Sequence, residues 1–119
     1  GKYKKPKYLS GIDAALDVIG GKWKALILYQ LLDGIRRYSQ ILKGMERYKI
    51  TQRMLTKELR ELESNGFLIR TVYPEVPPRV EYTLTEKGES IMPILDELCL
   101  WGCRHMPADL GHVCDRNET

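Results

Sequence analysis

The sequence predicts an α+β fold that is mainly helical and includes a small sheet of two or three strands. Apolar residues recur at helical spacing in five segments of the chain. Two β-rich runs, FLIRTVYP and RVEYTLT, lie between the fourth and the fifth of these segments, and EVPP separates them as a loop. The predicted order is therefore helix, helix, short strand, helix, helix, strand, strand, helix.

Length and composition indicate one globular domain. The chain has 119 residues, a net charge of +3 and 43% hydrophobic residues, which is typical of a soluble single domain. No apolar run approaches the roughly 20 residues of a membrane span, and Asp13 and Asp17 interrupt the apolar stretch near the start, which argues against a signal peptide. We expect a cytoplasmic protein with no membrane partner, divided into a basic arm at 1–9, one domain at 10–104 and a flexible tail at 105–119.

The first two predicted helices are bounded by capping residues and glycines. The segment SGIDAALDVIG has Ser10 or Asp13 as its N-terminal cap and ends at Gly20-Gly21. The segment KWKALILYQLLDG forms the second helix, which ends at Gly34. Because the apolar stripe of the second helix is wide, we expect this helix in the centre of the fold.

The other three helices also show start and stop signals. A brief strand at the beginning of IRRYSQILKGM leads into a third, short helix that Ser39 is predicted to cap. Thr51 caps the fourth helix, and Asn65-Gly66 ends it. Thr85 opens the long last helix.

The fourth helix separates its residues into an apolar and a basic side. A projection at about 100° per residue places Leu55, Leu59 and Leu62 on one side. The opposite side holds three basic residues and two polar residues that flank them: Arg53, Lys57, Arg60, Gln52 and Thr56. A short helix, a turn and a helix form the helix-turn-helix arrangement, which lays its second helix in the major groove of DNA. Arginine, glutamine and threonine are residue types that read base edges there.

A basic stripe on a surface helix also has a simpler interpretation, because most such stripes are only solvated surface. DNA binding is favoured by the short helix before the stripe and by the two strands after it. Those strands would form a wing that contacts the minor groove or the DNA backbone through Arg79; an ordinary hairpin is the alternative. Phosphate contacts, with solubility as the alternative role, are predicted for Lys22, Lys24, Arg36, Arg37, Ser39 and Lys43.

Three segments carry a close resemblance to the HxlR-type family of bacterial winged helix-turn-helix transcription regulators, which are relatives of the MarR type. They are ALDVIGGKWKALILYQLLDGIRRYSQILKGM, ITQRMLTKELRELESNGFLIR and PPRVEYTLTEKG. The resemblance covers about residues 10 to 102. It implies a homodimer whose first and last helices form the interface, with one winged helix-turn-helix per subunit on a palindromic operator. It also places Thr51, Gln52, Arg53, Thr56 and Lys57 on the recognition helix and Arg79 on the wing.

The last helix is predicted to expose an apolar stripe that a second copy of the chain would cover. Apolar residues at helical spacing form this stripe, and it is longer than a lone terminal helix usually leaves in water. Together with the first helix, the predicted interface consists of Ile12, Leu16, Ile91, Leu95, Leu98 and Trp101.

Many members of the family that sense electrophiles or oxidants carry a cysteine just before the first helix, and Ser10 occupies the matching position here. Serine cannot form a thiolate or a disulfide, so we expect no sensing through this position. Cys99 and Cys103 are expected to pack as small apolar residues at the interface. The alternative is that Cys114 cross-links two subunits or pairs with Cys103.

The sequence predicts neither a metal site nor an enzyme. The cysteines, with His105 and His112, are ligand types for zinc, but their spacing matches no zinc signature. The sequence has no phosphate-binding glycine loop and no nucleophile elbow. We therefore expect no cofactor.

Together these observations predict a sequence-specific DNA-binding transcriptional regulator, a homodimer on a palindromic operator that controls a neighbouring stress or metabolic gene. Its partners would be double-stranded DNA and a second copy of the chain, and the sequence identifies no effector. The alternative is a small dimeric protein-interaction module without DNA readout. Salt dependence separates the two, because DNA binding weakens steeply as salt rises.

Overall fold

The computed structural model describes residues 5–110. Within this range it contains six α-helices and three β-strands. Their bounds are α1 Gly11–Ile19, α2 Trp23–Tyr29, β1 Arg36–Arg37, α3 Tyr38–Met45, α4 Gln52–Ser64, β2 Leu68–Tyr73, β3 Arg79–Leu84, α5 Glu86–His105 and α6 Pro107–Leu110. A 3-10 turn, Glu46–Tyr48, lies between α3 and α4. The predicted domain boundaries at residues 10 and 104 stay predictions, and residues 111–119 of the predicted tail, with His112 and Cys114, lie outside the described range.

The predicted caps of three helices are confirmed, since Ser10, Thr51 and Thr85 each precede a helix and bind its first turn. Their hydroxyl oxygens accept hydrogen bonds from the N–H groups of Asp13 (3.0 Å), Met54 (3.1 Å) and Gly88 (3.0 Å), respectively. Each cap satisfies a backbone donor that has no partner inside its own helix, which contributes about 1 kcal/mol.

The cap of α3 differs from the prediction. The helix begins at Tyr38, so Ser39 lies within its first turn and the prediction that Ser39 is the cap is wrong. Arg37 holds the cap position, and its backbone N–H donates to Gln40 Oε1 at 2.8 Å. A glutamine at the third helical position can reach back in this way, so the cap lies two residues before the serine.

The second helix is shorter than predicted. Its regular part ends at Tyr29, and the prediction that it extends to Gly34 is wrong. The N–H of Leu31 donates to the Leu28 carbonyl (3.0 Å), and the N–H of Gly34 donates to the Leu31 carbonyl (3.1 Å). The chain therefore tightens into successive 3-10-type turns, and a φ of 117° at Gly34 then redirects it into β1.

The three strands form one antiparallel sheet in the order β1-β3-β2. The two long strands pair from Leu68 opposite Leu84 to Tyr73 opposite Arg79. Arg36 of β1 pairs with Tyr82 of β3. Because β1 leads directly into α3, this pairing joins the sheet to the start of the helix-turn-helix.

The apolar side of α4 is buried, as predicted: Leu55, Leu59 and Leu62 are all in the core. They pack with buried residues from the other helices and from the turns after α2, namely Ile27, Leu28, Leu31, Ile41, Met45, Met92 and Leu95. Burial of each such side chain contributes about 1.5–3 kcal/mol. The rotation of α4 about its own axis is therefore fixed, and its basic side must face outward.

The apolar stripe of α5 is divided between the core and the surface. The prediction that Leu95 is exposed is wrong, because Leu95 is only 5% exposed and lies in the core, while Ile94 is 59% exposed. Ile91 is half-buried against the core. The exposed, outer part of the stripe consists of Ile94, Leu98 and Trp101. Helical spacing predicts the stripe but does not show which of its edges packs against the rest of the subunit.

The end of α4 is tied to the start of α5. Gly66 has a φ of 80°, which lets the chain leave α4 and enter β2. Thr85 Oγ1 donates to the Gly66 carbonyl at 2.5 Å. Lys87 Nζ donates to the Asn65 carbonyl at 2.8 Å. These bonds make the two helix ends one compact unit.

Gly88 is predicted to be intolerant of a side chain. A Cβ at this position would lie 2.3 Å from the Phe67 carbonyl oxygen, whereas a Cβ at Gly102 of the same helix would meet no atom within 4 Å. We expect Gly88→Ala to lower the free energy of unfolding by about 1–3 kcal/mol. Gly102→Ala, the matched control, should raise it or change it by less than about 1 kcal/mol. Denaturant unfolding measures both, and equal effects would contradict the close approach at Gly88.

Candidate nucleic-acid interface

The outward side of α4 carries the residues that the sequence predicts as base-reading. Four of them are exposed: Thr51, Gln52, Arg53 and Lys57. Thr56 is half-buried, and its Oγ1 lies 3.4 Å from the hydroxyl oxygen of Tyr38 in α3. The structure therefore exposes the polar side of the first two turns of α4, while Thr56 partly links α4 to α3.

Strand β1 and helix α3 add polar and basic groups beside this face. Arg37, Ser39 and Lys43 are exposed. Arg36 is half-buried and its Nη2 lies 4.0 Å from Asp33 Oδ2. Neighbouring residues of a strand point to opposite faces, so Arg36 and Arg37 lie on different sides of β1.

A cleft of about 740 Å³ lies between α3, α4 and the two long strands. Its wall contains four arginines and two glutamates: Arg37, Arg60, Arg70, Arg79, Glu63 and Glu75. Arg60 is predicted on the basic stripe but not among the site residues, and Arg70 is not predicted at all. The sequence signal for Arg70 is its outward position in β2. Its position opposite Tyr82 depends on the register of the sheet.

Arg79 is the first residue of β3, next to the loop that joins the two wing strands, and two acidic residues lie beside it. Its Nη2 is 3.4 Å from Glu75 Oε1, and its Nε is 3.4 Å from Glu81 Oε2. The Nε is buried and makes no hydrogen bond, because the 3.4 Å contact is an ion pair without hydrogen-bond geometry. The guanidinium also lies over the Tyr73 ring, 4.1 Å from its centroid. In the free protein, the carboxylates of Glu75 and Glu81 therefore pair with the guanidinium that the sequence predicts for DNA contact.

Lys24 does not lie on the surface. Its Nζ is 2.7 Å from Glu58 Oε2 and 2.5 Å from Glu61 Oε2, and its side chain is 13% exposed. The interpretation of Lys24 as a phosphate contact is therefore wrong, because both of its partners belong to α4. Burial alone would lower the pKa of Lys24, but the two carboxylates raise it above its ordinary value.

A second cavity, of about 510 Å³, lies between α2 and α5 and includes Arg36 in its wall. Nearby, the Tyr29 hydroxyl donates to Asp96 Oδ1 at 2.8 Å. Burial, together with this hydrogen bond, raises the pKa of Tyr29 to about 12. The protonated phenol links α2 to α5 through this hydrogen bond.

Cys103 of α5 lies in the wall of the same cavity and takes part in a disulfide. The prediction that Cys103 only packs as a small apolar residue is therefore wrong. Over residues 5–110, His, Cys, Asp and Glu side chains form no group of three or more that could hold a metal ion. None of the helices in this range combines the length and the apolarity needed to span a bilayer.

Two consecutive helices with an exposed basic face on the second, followed by a two-stranded wing, define a winged helix-turn-helix DNA-binding protein. The chain belongs to the HxlR-like helix-turn-helix family, whose pattern matches residues 18–110. The predicted fold class and family are thereby confirmed.

Known relatives extend this assignment. An HTH-type transcriptional regulator of Methanothermobacter thermautotrophicus is 60% identical over 96 residues, which is 81% of this chain and 72% of the relative. The crystal structure of the HTH-type transcriptional regulator YtcD, known from Bacillus subtilis, is 49% identical, with a TM-score of 0.76 over 83% of this chain and 99% of that one. The redox regulator HypR in its reduced form is 44% identical, with a TM-score of 0.76 over 84% and 99% of the two chains. The family and these relatives are transcriptional regulators, which confirms the prediction of a DNA-binding regulator rather than an enzyme.

The ion pair between Lys24 and Glu61 should appear in the pH dependence of stability. Hydrogen bonding and charge attraction from Lys24 hold the pKa of Glu61 below its ordinary value of 4.5. The stabilisation is therefore fully present above that value and is lost as the pH falls through the lower pKa of the folded state. We expect the stability difference between wild type and Glu61→Gln to be larger at neutral pH than in acid, as measured by urea unfolding.

The matched control for this measurement is Glu63→Gln. Glu63 is an exposed residue of the same helix and has no ion pair within the described part of the chain. Its stability difference from wild type should change little over the same pH range. If the Glu61 and Glu63 variants behaved alike, the ion pair would not contribute to the acid dependence.

Proposed function

We propose that the chain is a homodimeric, sequence-specific transcriptional regulator that acts in the cytoplasm on a palindromic operator. The exposed basic face of α4 supports this proposal most strongly, because the buried leucines on the opposite side fix its direction. The arginine-lined cleft continues the same basic surface toward the wing. A helix with such a face fits the major groove, while the adjoining basic groups fit phosphates.

Base reading is assigned to the start of α4. Arg53 can donate two hydrogen bonds to guanine, and Gln52 can pair with adenine. Lys57, Thr51 and Thr56 complete the proposed reading surface. Phosphate contacts are assigned to the neighbouring groups that face the same way, namely Arg37, Ser39, Lys43, Arg60 and Arg70.

Two of the predicted phosphate contacts carry conditions. Arg79 would have to exchange Glu75 and Glu81 for a phosphate, or act through the remaining N–H groups of its guanidinium. A phosphate contact by Arg36 also stays a prediction. Its guanidinium lies toward Asp33 and the second cavity, so it would have to turn away from them.

The proposed dimer uses the apolar surface of α1 and α5. Five large apolar side chains on these helices are exposed: Ile12, Leu16, Ile94, Leu98 and Trp101. Exposed apolar surface of this extent is typical of a protein interface. Two-fold packing would place the recognition helices about 34 Å apart, one turn of DNA, and so match an inverted repeat.

The class of regulated gene rests only on the resemblance, and no effector is assigned. We propose a neighbouring stress or metabolic gene as the target. HypR is a redox regulator, but Ser10 occupies the position of the family's reactive cysteine in this chain. We therefore do not extend redox sensing through that position to this protein.

Arg53→Ala and Lys43→Ala should separate base reading from phosphate binding. A selection of bound sites from random duplex DNA first supplies the operator. Arg53→Ala should then cost about 1–3 kcal/mol on the operator and relax preference at one base pair. Lys43→Ala should weaken operator and random DNA alike and make the salt dependence shallower. Fluorescence anisotropy over a salt series measures both.

The result against this assignment is an Arg53→Ala protein with unchanged operator affinity, which would exclude α4 as the reader. Wild-type binding that does not change with salt would instead favour the protein-interaction module.

Leu98→Glu should disrupt the dimer. A carboxylate at this exposed position would have to be buried in the proposed interface, at a cost of several kcal/mol. We expect a monomer in analytical ultracentrifugation at micromolar concentration and a large loss of operator affinity, because two half-sites can no longer be bound together. Val72→Glu is the matched control for the ultracentrifugation, in which it should remain a dimer, since Val72 is an exposed apolar residue of β2 outside the proposed interface. A wild-type protein that is itself monomeric would refute the dimer.

A further inference from the structure

We propose that Lys24 is a positioning residue for DNA binding: it draws two carboxylates of the recognition helix toward the core side and thereby keeps the outward face basic. This inference rests on the proposed function. Lys24 lies in α2, outside the helix-turn-helix, and it does not reach the exposed face of α4 itself.

The charge content of α4 shows why such a residue is needed. The helix contains three basic residues, Arg53, Lys57 and Arg60, and three acidic residues, Glu58, Glu61 and Glu63. Its formal net charge is therefore zero, which does not favour contact with a polyanion. Glu58 is buried and Glu61 half-buried, and both bind Lys24, so only Glu63 is fully on the surface as an acidic group.

Lys24 and Lys57 compete for the same carboxylate. One oxygen of Glu61 lies 2.5 Å from Lys24 Nζ, while the other lies 4.0 Å from Lys57 Nζ. Lys57 and Glu61 have the i,i+4 spacing of a helical ion pair. Without Lys24, Glu61 would be free to turn outward, pair with Lys57 and remove one cation from the DNA face.

Glu58 has a different dependence on Lys24. Its side chain is 10% exposed, so loss of Lys24 would leave a nearly buried carboxylate without its cation. Breaking a buried pair in this way is destabilising. Substitutions of the two carboxylates therefore separate two roles of Lys24. A change at Glu58 tests its effect on the stability of the α2–α4 contact, and a change at Glu61 tests its effect on the charge of the DNA face.

The test uses operator binding by the full chain over a salt series, with Lys24→Met, Lys24→Met/Glu61→Gln and Lys24→Met/Glu58→Gln. We expect Lys24→Met to weaken operator binding on the order of fivefold at low salt. The slope of log affinity against log salt should become shallower by about one, because the charge of Lys57 is then paired with Glu61 and no longer neutralises charge on the DNA. Adding Glu61→Gln should restore both the slope and most of the affinity.

The Glu58 variant provides the control for folding. Lys24→Met/Glu58→Gln should regain thermal stability, since the buried carboxylate is neutralised, but it should keep the shallow salt slope. It also allows the measurement to be made if Lys24→Met alone does not fold. A purely structural role for Lys24 would give the opposite pattern, in which Glu58→Gln restores both stability and binding and Glu61→Gln restores neither.

The inference is overturned if folded Lys24→Met/Glu61→Gln keeps the weak binding and shallow slope of Lys24→Met while wild type binds normally. Absence of salt-dependent DNA binding by wild type would instead refute the proposed function, and this inference with it.

Discussion

The burial of three leucines on one side of α4 determines the rest of the molecule's functional surface. Leu55, Leu59 and Leu62 pack into the core, and a helix cannot rotate about its axis without exposing them. The polar side is consequently presented in one orientation. The cap at Thr51 and the positive φ at Gly66 set where this helix begins and ends, so the position of its first turns on the surface is also fixed.

Ion pairs determine the charge of the surface that the core orients. The outward face of α4 is basic although the helix as a whole is neutral, because its acidic groups are distributed unequally around it. The wing shows the reverse arrangement, with Arg79 held between two glutamates and an aromatic ring. Among the described residues, Arg79 of the wing is paired with carboxylates, whereas Lys43 of α3 and Arg53 of α4 have no ion pair.

Much of this architecture could be predicted from the sequence, because it depends on local signals. The two sides of α4, its cap and the two wing strands all follow from spacing and from residue types with known preferences. Two local predictions, the cap of α3 and the end of α2, are wrong by a few residues. The errors that concern the site involve contacts between distant parts of the chain. Lys24 and Glu58 are 34 residues apart, and no local pattern indicates that they meet. Similarly, periodicity could identify the apolar stripe of α5 but could not show that Leu95 belongs to the core while Ile94 faces outward.

The bonds between the end of α4 and the start of α5 have a mechanical consequence. Thr85 and Lys87 donate hydrogen bonds to the carbonyls of Gly66 and Asn65, so the end of α4 and the start of α5 are rigidly connected. With 20 residues, α5 is a lever about 30 Å long. In a dimer held through α5, a small tilt of one lever against the other changes the span between the two recognition helices. Since successive base pairs are only about 3.4 Å apart, even a slight tilt alters which steps of the duplex both subunits can reach together.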